Sequence, residues 1–146
     1  MRGSMVHMAD RDYSLFGDAH VEKYLETDGE VGQVWNGVPC LVLWTTGRRS
    51  GETRVHPLIY GARGSDVVIV ASNGGAPEHP TWYLNLTADP SVEVQVGADR
   101  YAGTARTAQG PERTELWKLM TGIWPEYDGY QANTDREIPV VVIERA

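Results

Sequence analysis

The fold is decided by the stretch LVLWTTGRRSGETRVHPLIY (residues 41–60), in which a basic segment with two glycines separates two apolar runs. The apolar runs predict two strands, and Gly47 and Gly51 permit the backbone angles of a tight turn between them. Three arginines lie in or beside this turn: Arg48, Arg49 and Arg54. Glycine-rich backbone and forked guanidinium donors both suit phosphate and carboxylate oxygens. We therefore expect the turn to bind the anionic tail of a cofactor; the alternative is a solvated basic hairpin tip.

The arginine cluster is a local positive patch on an acidic chain. The 146 residues carry a formal net charge of −7, which argues against nucleic acid or an anionic membrane as a general partner. A chain of this length is typical of one domain. Its single cysteine, Cys40, excludes an internal disulfide and a cysteine-based metal site, and the histidines lack metal-ligand spacing. The single cysteine, together with the lack of a membrane-length apolar run and of a signal-peptide apolar region, fits a reducing cytoplasmic setting. Peripheral membrane contact of the N-terminal segment is left open.

The rest of the chain predicts short strands that are joined mostly by tight turns. Apolar runs and alternation indicate six strands, at residues 38–46, 53–61, 66–72, 91–97, 100–107 and 138–144. Helices are indicated at residues 18–28, from Pro80 onward and at residues 111–122. Residues 31–37 are expected to be a connection and residues 62–65 a turn, and Pro57 marks a sheet edge or a bulge. This pattern favours an α+β barrel of about six mainly antiparallel strands with helices packed around it.

The same pattern divides the chain into segments. We expect residues 1–8 to be a vector-derived leader, residues 9–37 to be an N-terminal helical segment and residues 38–146 to form the barrel domain. No internal repeat or low-complexity segment is evident in the sequence.

Two further stretches carry residues suited to a flat ligand. Residues 71–75, ASNGG, follow a predicted strand and offer a hydroxyl, an amide and bare backbone donors to a heterocycle's edge; an ordinary glycine loop is the alternative. Residues 123–130, IWPEYDGY, place Trp124, Tyr127 and Tyr130 three residues apart, so that a helical turn would align them. Such rings either bind a flat apolar substrate or only pack as a lid over the core.

No nucleophile or acid–base constellation is evident in the sequence. Ser50 lacks the G-x-S-x-G context of a serine hydrolase, and no pair of carboxylates is placed for glycoside hydrolysis. His56 lies in a predicted strand and is placed to face the site, whereas His79 precedes Pro80 and is expected to be a loop or cap residue. This absence points to binding, or to chemistry that a cofactor carries.

Three segments together resemble the deazaflavin (coenzyme F420)-dependent nitroreductase family of actinobacteria. They are TTGRRSGETRVHPLIY (residues 45–60), VIVASNGGAPEHPTWYLNLTADPSVEVQV (residues 68–96) and WPEYDGYQANTDREIPVVVIE (residues 124–144). The resemblance covers residues 38–145, and the combination of T-G-R-x-S-G-x-x-R, A-S-x-G-G and H-P-x-W-Y-x-N-L is far more specific than any one piece. It implies a split β-barrel related to FMN-binding oxidoreductases, which agrees with the barrel expected from the strand pattern.

The resemblance also assigns roles to the matching positions. It implies that Arg48, Arg49 and Arg54 hold the phosphate and acidic tail of the coenzyme, in a groove shaped by Ser50, Gly51 and Pro57. The residues implied to run along the deazaflavin ring are Val70, Ala71, Ser72, Asn73 and Gly75. Trp82 and Asn85 are implied to support the coenzyme from the short helix. The residues implied to face the substrate are Trp124, Tyr127 and Tyr130, with Ser72 orienting it.

The sequence departs from the family pattern at several of these positions. The family often has lysine where this chain has Arg49, which keeps the charge, and lysine where it has Asn73, which removes a charge beside the ring. A family tyrosine is replaced by Ile59, and Trp124 replaces a tyrosine hydroxyl with an indole donor. These changes weaken the expectation of activity on nitroimidazole compounds.

The expected function is hydride transfer from reduced coenzyme F420 to a quinone, a nitroaromatic or another conjugated acceptor. Ser72, Tyr127 or Tyr130 would donate the hydrogen bond that follows the charge developing on the acceptor. Two alternatives remain open at this stage: an FMN-dependent oxidoreductase of the same fold, and a non-catalytic module that binds coenzyme F420. Split barrels of this kind often form dimers, so a homodimer is a further expectation.

Overall fold

A computed structural model describes residues 12 and 14–146, so the leader expected at residues 1–8 lies outside the described part of the chain. Eight strands are described: β1 Val34–Trp35, β2 Val38–Thr46, β3 Thr53–Ile59, β4 Gly61–Arg63, β5 Asp66–Val70, β6 Ser91–Val96, β7 Asp99–Thr107 and β8 Val140–Arg145. Four α-helices accompany them: α1 Asp18–Glu26, α2 Thr81–Ala88, α3 Gly110–Ile123 and α4 Glu126–Ala132. A 3-10 turn, Asn73–Gly75, follows β5.

The strands form one curled sheet in which every described pairing is antiparallel. The order is β1-β2-β6-β7-β8-β5-β4, and β3 pairs with the other side of β2. β3 and β4 therefore lie at opposite margins of the sheet, yet Tyr60 is the only residue between them. The sheet must curl until its margins meet at Tyr60, which confirms the predicted antiparallel barrel with helices around it.

The segment predicted as one strand over residues 53–61 is in fact two strands. At Tyr60 the chain leaves β2 and passes to β5, where Ala62 pairs with Val67 and Arg63 with Asp66. The prediction of a turn over residues 62–65 was therefore wrong at Ala62 and Arg63. The side-chain pattern of these residues does not show a change of pairing partner, because it reflects burial and not which strand lies alongside.

β5 and β8 are buried on both faces, which explains their unbroken runs of apolar residues. One face points into the barrel, and its fully or nearly fully buried residues include Val67, Ile69, Val141 and Ile143. The other face packs beneath α3 and α4, where Val68 and Val142 of the strands are buried in one cluster with Leu116 and Met120 of α3. A Cβ at Gly61 would lie 2.8 Å from the Met120 sulfur, so α3 approaches β4 closely.

Pro57 marks a sheet edge and not a bulge. The β2–β3 ladder is bracketed by the Tyr60 N–H, which donates to the Pro39 carbonyl at 3.1 Å, and the Gly47 N–H, which donates to the Glu52 carbonyl at 2.7 Å. The register between them is unbroken, so the rungs fall on the even-numbered residues of β3. The odd-numbered residues, Pro57 among them, turn their backbone groups toward the free edge, where a missing N–H costs no ladder hydrogen bond.

The first turn of α3 is tied to the sheet by ion pairs. Glu112 accepts hydrogen bonds from Arg63 at 2.7 Å and from Arg106 at 2.6 and 2.9 Å. Arg106 also donates to Glu144 at 3.1 Å. Hydrogen bonds from Arg106 and Arg63 lower the pKa of Glu112 to about 2.

Because the pKa of Glu112 is lower in the folded chain, the ion pairs should stabilise the fold above pH 4.5, the ordinary value for this carboxyl. We expect that stabilisation to disappear as the pH falls from 4.5 toward 2. The measurement is the melting temperature against pH for the wild-type chain and Glu112→Gln. The wild-type curve should fall more steeply over this interval and approach the curve of the variant at its acid end. Parallel curves would contradict the prediction.

Candidate functional site

A cavity of about 840 Å³ opens where β3, the start of α1, the β5–α2 connection and α4 meet. Its floor is formed by residues of β3 and by Cys40 and Val70 of the neighbouring strands. Its mouth is flanked by Phe16 and Trp35, whose rings lie 6.1 Å apart. The site therefore lies outside the packed barrel interior, along the free edge of β3.

The connection after β5 forms one wall, and α4 rests directly on it. Ser72, Asn73 and Gly74 line the cavity, and the Asn73 side-chain amide donates to the Glu78 carbonyl at 3.1 Å. Gly75 has a positive φ of 83°, and a Cβ there would lie 2.8 Å from the Tyr130 carbonyl oxygen. This close approach brings together the ASNGG segment and the aromatic segment, which are far apart in the sequence.

Arg136 stabilises this wall through four hydrogen bonds. Its guanidinium group donates to the carbonyl oxygens of Ala71 at 3.2 Å, Ser72 at 2.7 Å and Ala76 at 2.9 Å, and to Nδ1 of His79 at 3.0 Å. The sequence did not reveal this arginine as a site residue, because it follows α4 with no motif of its own and acts on groups about 60 positions away.

The aromatic segment, residues 123–130, forms the adjoining wall. Trp124 and Tyr127 are buried, whereas Tyr130 is half-buried, and all three side chains line the cavity. The Trp124 indole N–H donates to the Tyr130 hydroxyl oxygen at 3.4 Å, and the rings of Tyr127 and Tyr130 meet edge to face at 6.1 Å. Burial raises the pKa of Tyr127, so this phenol stays protonated at neutral pH.

The arginine turn lies at the end of β3, away from the lining of the cavity. Its backbone is closed by the Gly51 N–H, which donates to the Gly47 carbonyl at 2.8 Å, and by the Glu52 N–H, which donates to the Ser50 hydroxyl at 3.1 Å. The side chains of Arg48, Arg49 and Arg54 are exposed, and Arg54 forms a loose ion pair with Glu52 at 3.9 Å.

Asn85 of α2 holds this turn in place. Its side-chain oxygen accepts from the Arg48 N–H at 3.1 Å, and its amide donates to the Thr45 hydroxyl at 3.3 Å. Asn85 is only 1% exposed, and a buried amide needs hydrogen-bond partners for both its oxygen and its nitrogen. These two bonds supply them and fix the turn to the helix.

The structure brings about half of the expected site residues to the cavity. Those that line it are Pro57, Val70, Ser72, Asn73, Trp82, Trp124, Tyr127 and Tyr130. Those that do not are Arg48, Arg49, Ser50, Gly51, Arg54, Ala71, Gly75 and Asn85. Most of the second group belongs to the arginine turn or supports it, so the expected site is a cavity at one end of β3 and a basic turn at the other.

The histidines and the cysteine of the cavity differ in their hydrogen bonding. His20 donates through Nε2 to the Gly32 carbonyl at 2.7 Å. Nδ1 of His56 is buried and has no partner among the described residues. Burial lowers the pKa of His56, an effect opposed by Asp18 and reinforced by Arg54. Burial also raises the pKa of the Cys40 thiol to about 12, so Cys40 is not a nucleophile at neutral pH.

Two classes of site or segment are not found in the described part of the chain. No group of three or more histidine, cysteine, aspartate or glutamate side chains there is arranged to hold a metal ion. None of the helices there combines the length and the apolar character needed to cross a membrane.

Comparison with known proteins gives consistent matches. The model of a family described as F420H(2)-dependent quinone reductase matches residues 18–145. A protein of Mycobacterium tuberculosis named F420H(2)-dependent quinone reductase is 40% identical over 130 residues, which cover 86% of this chain and 87% of the relative. A solved structure of an F420-H2 dependent reductase (FDR-A) is 43% identical, with a TM-score of 0.68, and covers 73% of this chain and 94% of that chain. A structure described as a domain-swapped dimer is 40% identical, with a TM-score of 0.71, and covers 85% of this chain and 93% of that chain.

Proposed function

Since the chain belongs to the F420H(2)-dependent quinone reductase family, we propose that its cavity is where a quinone accepts a hydride from reduced coenzyme F420. The chain is an oxidoreductase, and reduced coenzyme F420 is its cofactor. The coenzyme supplies the hydride when it is bound, and the protein supplies position and charge. The observation that carries the proposal is that the ASNGG segment, the free edge of β3 and the aromatic segment converge on one cavity.

The residues of the cavity fit a flat heterocycle with polar edges. Its volume of about 840 Å³ lies in the range of small-molecule sites. The free edge of β3 presents the carbonyl groups of Val55 and Pro57 and the N–H of Ile59, which match the alternating donors and acceptors of such a ring. The buried, unpartnered Nδ1 of His56 is a further polar atom that is not satisfied by the described residues. Pro57, Val70, Ser72, Asn73 and Trp82 would hold the ring.

The basic turn fits the anionic tail of the coenzyme. Arg48, Arg49 and Arg54 are exposed, and only Arg54 has a carboxylate within 4 Å among the described residues. Their charges are therefore available to phosphate and carboxylate groups. β3 runs from this turn to the cavity, so one ligand that lies along the strand would reach both ends.

Tyr130 is the residue best placed to donate a hydrogen bond to the quinone. Its hydroxyl oxygen already accepts the Trp124 indole N–H, which leaves its own O–H free to donate. Ser72, with its hydroxyl, belongs to the adjoining wall. Donors that are fixed before the reaction stabilise the charge that develops on a carbonyl oxygen as it is reduced.

The first experiment is a fluorescence titration of the purified protein with coenzyme F420, with FMN titrated in parallel. We expect saturable binding of coenzyme F420, weaker or no binding of FMN, and turnover of a soluble quinone such as menadione by the reduced coenzyme. Binding of FMN alone would move the chain to the flavin-dependent alternative. Tight binding of coenzyme F420 without turnover of any acceptor would favour the non-catalytic module.

Replacing Arg54 by alanine should weaken binding of coenzyme F420 by roughly tenfold, because a hydrogen bond to a charged group is worth about 1.5–3 kcal/mol. The loss should be smaller for FMN, which has one phosphate and no acidic tail. The measurement is the same pair of titrations. Arg100→Ala is the matched control, since Arg100 is also exposed but pairs with Glu93 and covers Trp44 on another face. Equal effects of the two substitutions would mean that the turn is not the anion site.

We also propose a homodimer in the cytoplasm as the working state of the chain. The similarity to a domain-swapped dimer supports the homodimer. The single unpaired cysteine is compatible with the cytoplasmic location. Light scattering after size exclusion would give the mass directly, and a mass near 16.2 kDa at all concentrations would exclude the dimer.

A further inference from the structure

The hydrogen bond between Arg136 and His79 fixes where the imidazole carries its proton. A guanidinium group only donates, so Nδ1 of His79 must be the acceptor of the 3.0 Å bond from Arg136. The neutral ring then carries its proton on Nε2. The ring of Tyr83 lies 4.9 Å away at an angle of 55° and limits rotation of the imidazole.

The other nitrogen of His79 is open. Within the described residues, the buried side-chain polar atoms without a partner are His56 Nδ1 and Arg113 Nε. Nε2 of His79 is not one of these and makes no hydrogen bond of its own in this part of the chain, so it remains accessible. His79 lines the cavity. The structure therefore provides a neutral N–H donor with a fixed orientation in the wall of the site.

Several neighbouring polar groups of this wall already have partners within the protein. The carbonyl groups of Ala71 and Ser72 accept from Arg136, and the side-chain amide of Asn73 donates to the Glu78 carbonyl. One N–H of the Asn73 amide is therefore used to close the loop. Among the described residues, His79 is one of the side chains of this wall with a free donor, together with the hydroxyls of Ser72 and Thr81 and the second N–H of Asn73.

We propose that His79 is a binding residue of the site, and that its Nε2–H donates a hydrogen bond to a carbonyl or anionic oxygen of the molecule held in the cavity. Arg136 is the positioning residue that holds the imidazole in this tautomer. This inference rests on the proposed function, which supplies two candidate sources of that oxygen: the heterocycle of the coenzyme and the quinone. The earlier interpretation of His79 as a loop or cap residue gave it no contact with a ligand.

Two substitutions separate a ligand contact from a structural role. Asparagine places an amide where Nδ1 lies, so His79→Asn keeps a group that can accept from Arg136 but loses the donor at the Nε2 position. Glutamine places an amide where Nε2 lies, so His79→Gln keeps the donor but loses the partner of Arg136. Each variant is compared with the wild-type chain in three measurements: the Kd for coenzyme F420, kcat and KM for menadione, and the melting temperature.

We expect His79→Asn to weaken one ligand by roughly tenfold with little change in melting temperature, and His79→Gln to stay within about threefold of the wild-type affinity. A rise in Kd would place the oxygen on the coenzyme, and a rise in KM at unchanged Kd would place it on the quinone. The reverse ranking, or wild-type Kd and KM in both variants, would overturn the proposal. A wild-type chain that binds no coenzyme F420 would overturn the proposed function, and this inference with it.

Discussion

Replacing Tyr130 by phenylalanine is expected to lower kcat for quinone reduction by about 10²- to 10³-fold, which is the usual effect of losing one fixed donor to a developing oxyanion. The ring and its edge-to-face contact with Tyr127 remain, so the wall keeps its shape. The Kd for coenzyme F420 should stay nearly constant, because the hydroxyl is used only as charge moves onto the acceptor. Steady-state kinetics with menadione and a parallel fluorescence titration measure the two quantities.

Two further variants make this result interpretable. Tyr101→Phe removes a phenol on another part of the barrel that does not line the cavity, and it should leave kcat unchanged. Trp124→Phe removes the indole N–H that donates to Tyr130, and its effect on kcat should be smaller than that of Tyr130→Phe. Loss of coenzyme affinity in Tyr130→Phe to the same degree as loss of kcat would show that the tyrosine is structural.

Replacing Gly75 by alanine should damage both stability and catalysis. Gly75 has a positive φ, and a residue with a Cβ in this conformation lowers the free energy of unfolding by about 1–2 kcal/mol. The new methyl group would also lie 2.8 Å from the carbonyl oxygen and 3.0 Å from Cα of Tyr130, and neither backbone atom can move without moving α4. We therefore expect a decrease in the free energy of unfolding beyond the cost of φ alone, together with a fall in kcat.

The neighbouring glycine provides the matched control. Gly74 has a positive φ of 64°, but a Cβ there would meet nothing within 4 Å. Gly74→Ala should therefore show the cost of φ without displacement of Tyr130. Urea unfolding and kcat are measured for both variants. If they lose the same stability and the same activity, the contact between Gly75 and α4 has no effect on the site.

Local patterns in the sequence predict most of the sheet. β2 spans residues 38–46 as expected, because it is apolar, bounded by Gly37 and Gly47, and buried along most of its length. The break at Tyr60 was missed because the choice of pairing partner depends on how the whole sheet curls. β1 was missed for a related reason, since its two residues form a strand only through their contact with β2.

The candidate site was predictable where its chemistry is local. The ASNGG segment and the aromatic segment have unusual compositions, and the resemblance to the family implied roles for them. Arg136 and His79 were not predictable in the same way, because their bond joins residues 57 positions apart and neither sits in a motif that demands it. The roles of all these residues toward the coenzyme and the substrate, those of the arginine turn and Asn85 included, remain predictions that the titrations and the kinetics test.

Ionic strength should act differently on the two ends of β3. The arginines of the turn are exposed, so dissolved salt screens their attraction for an anionic tail, with a Debye length of about 10 Å at 0.1 M. Arg136 instead holds its wall through hydrogen bonds to neutral carbonyl groups and an imidazole in a partly buried position, where screening is weak. Added potassium chloride should therefore raise the Kd for coenzyme F420. The KM for an uncharged quinone, measured at saturating coenzyme, should stay constant. The activity of the enzyme would then depend on salt concentration through its binding of coenzyme F420 and not through its binding of the quinone.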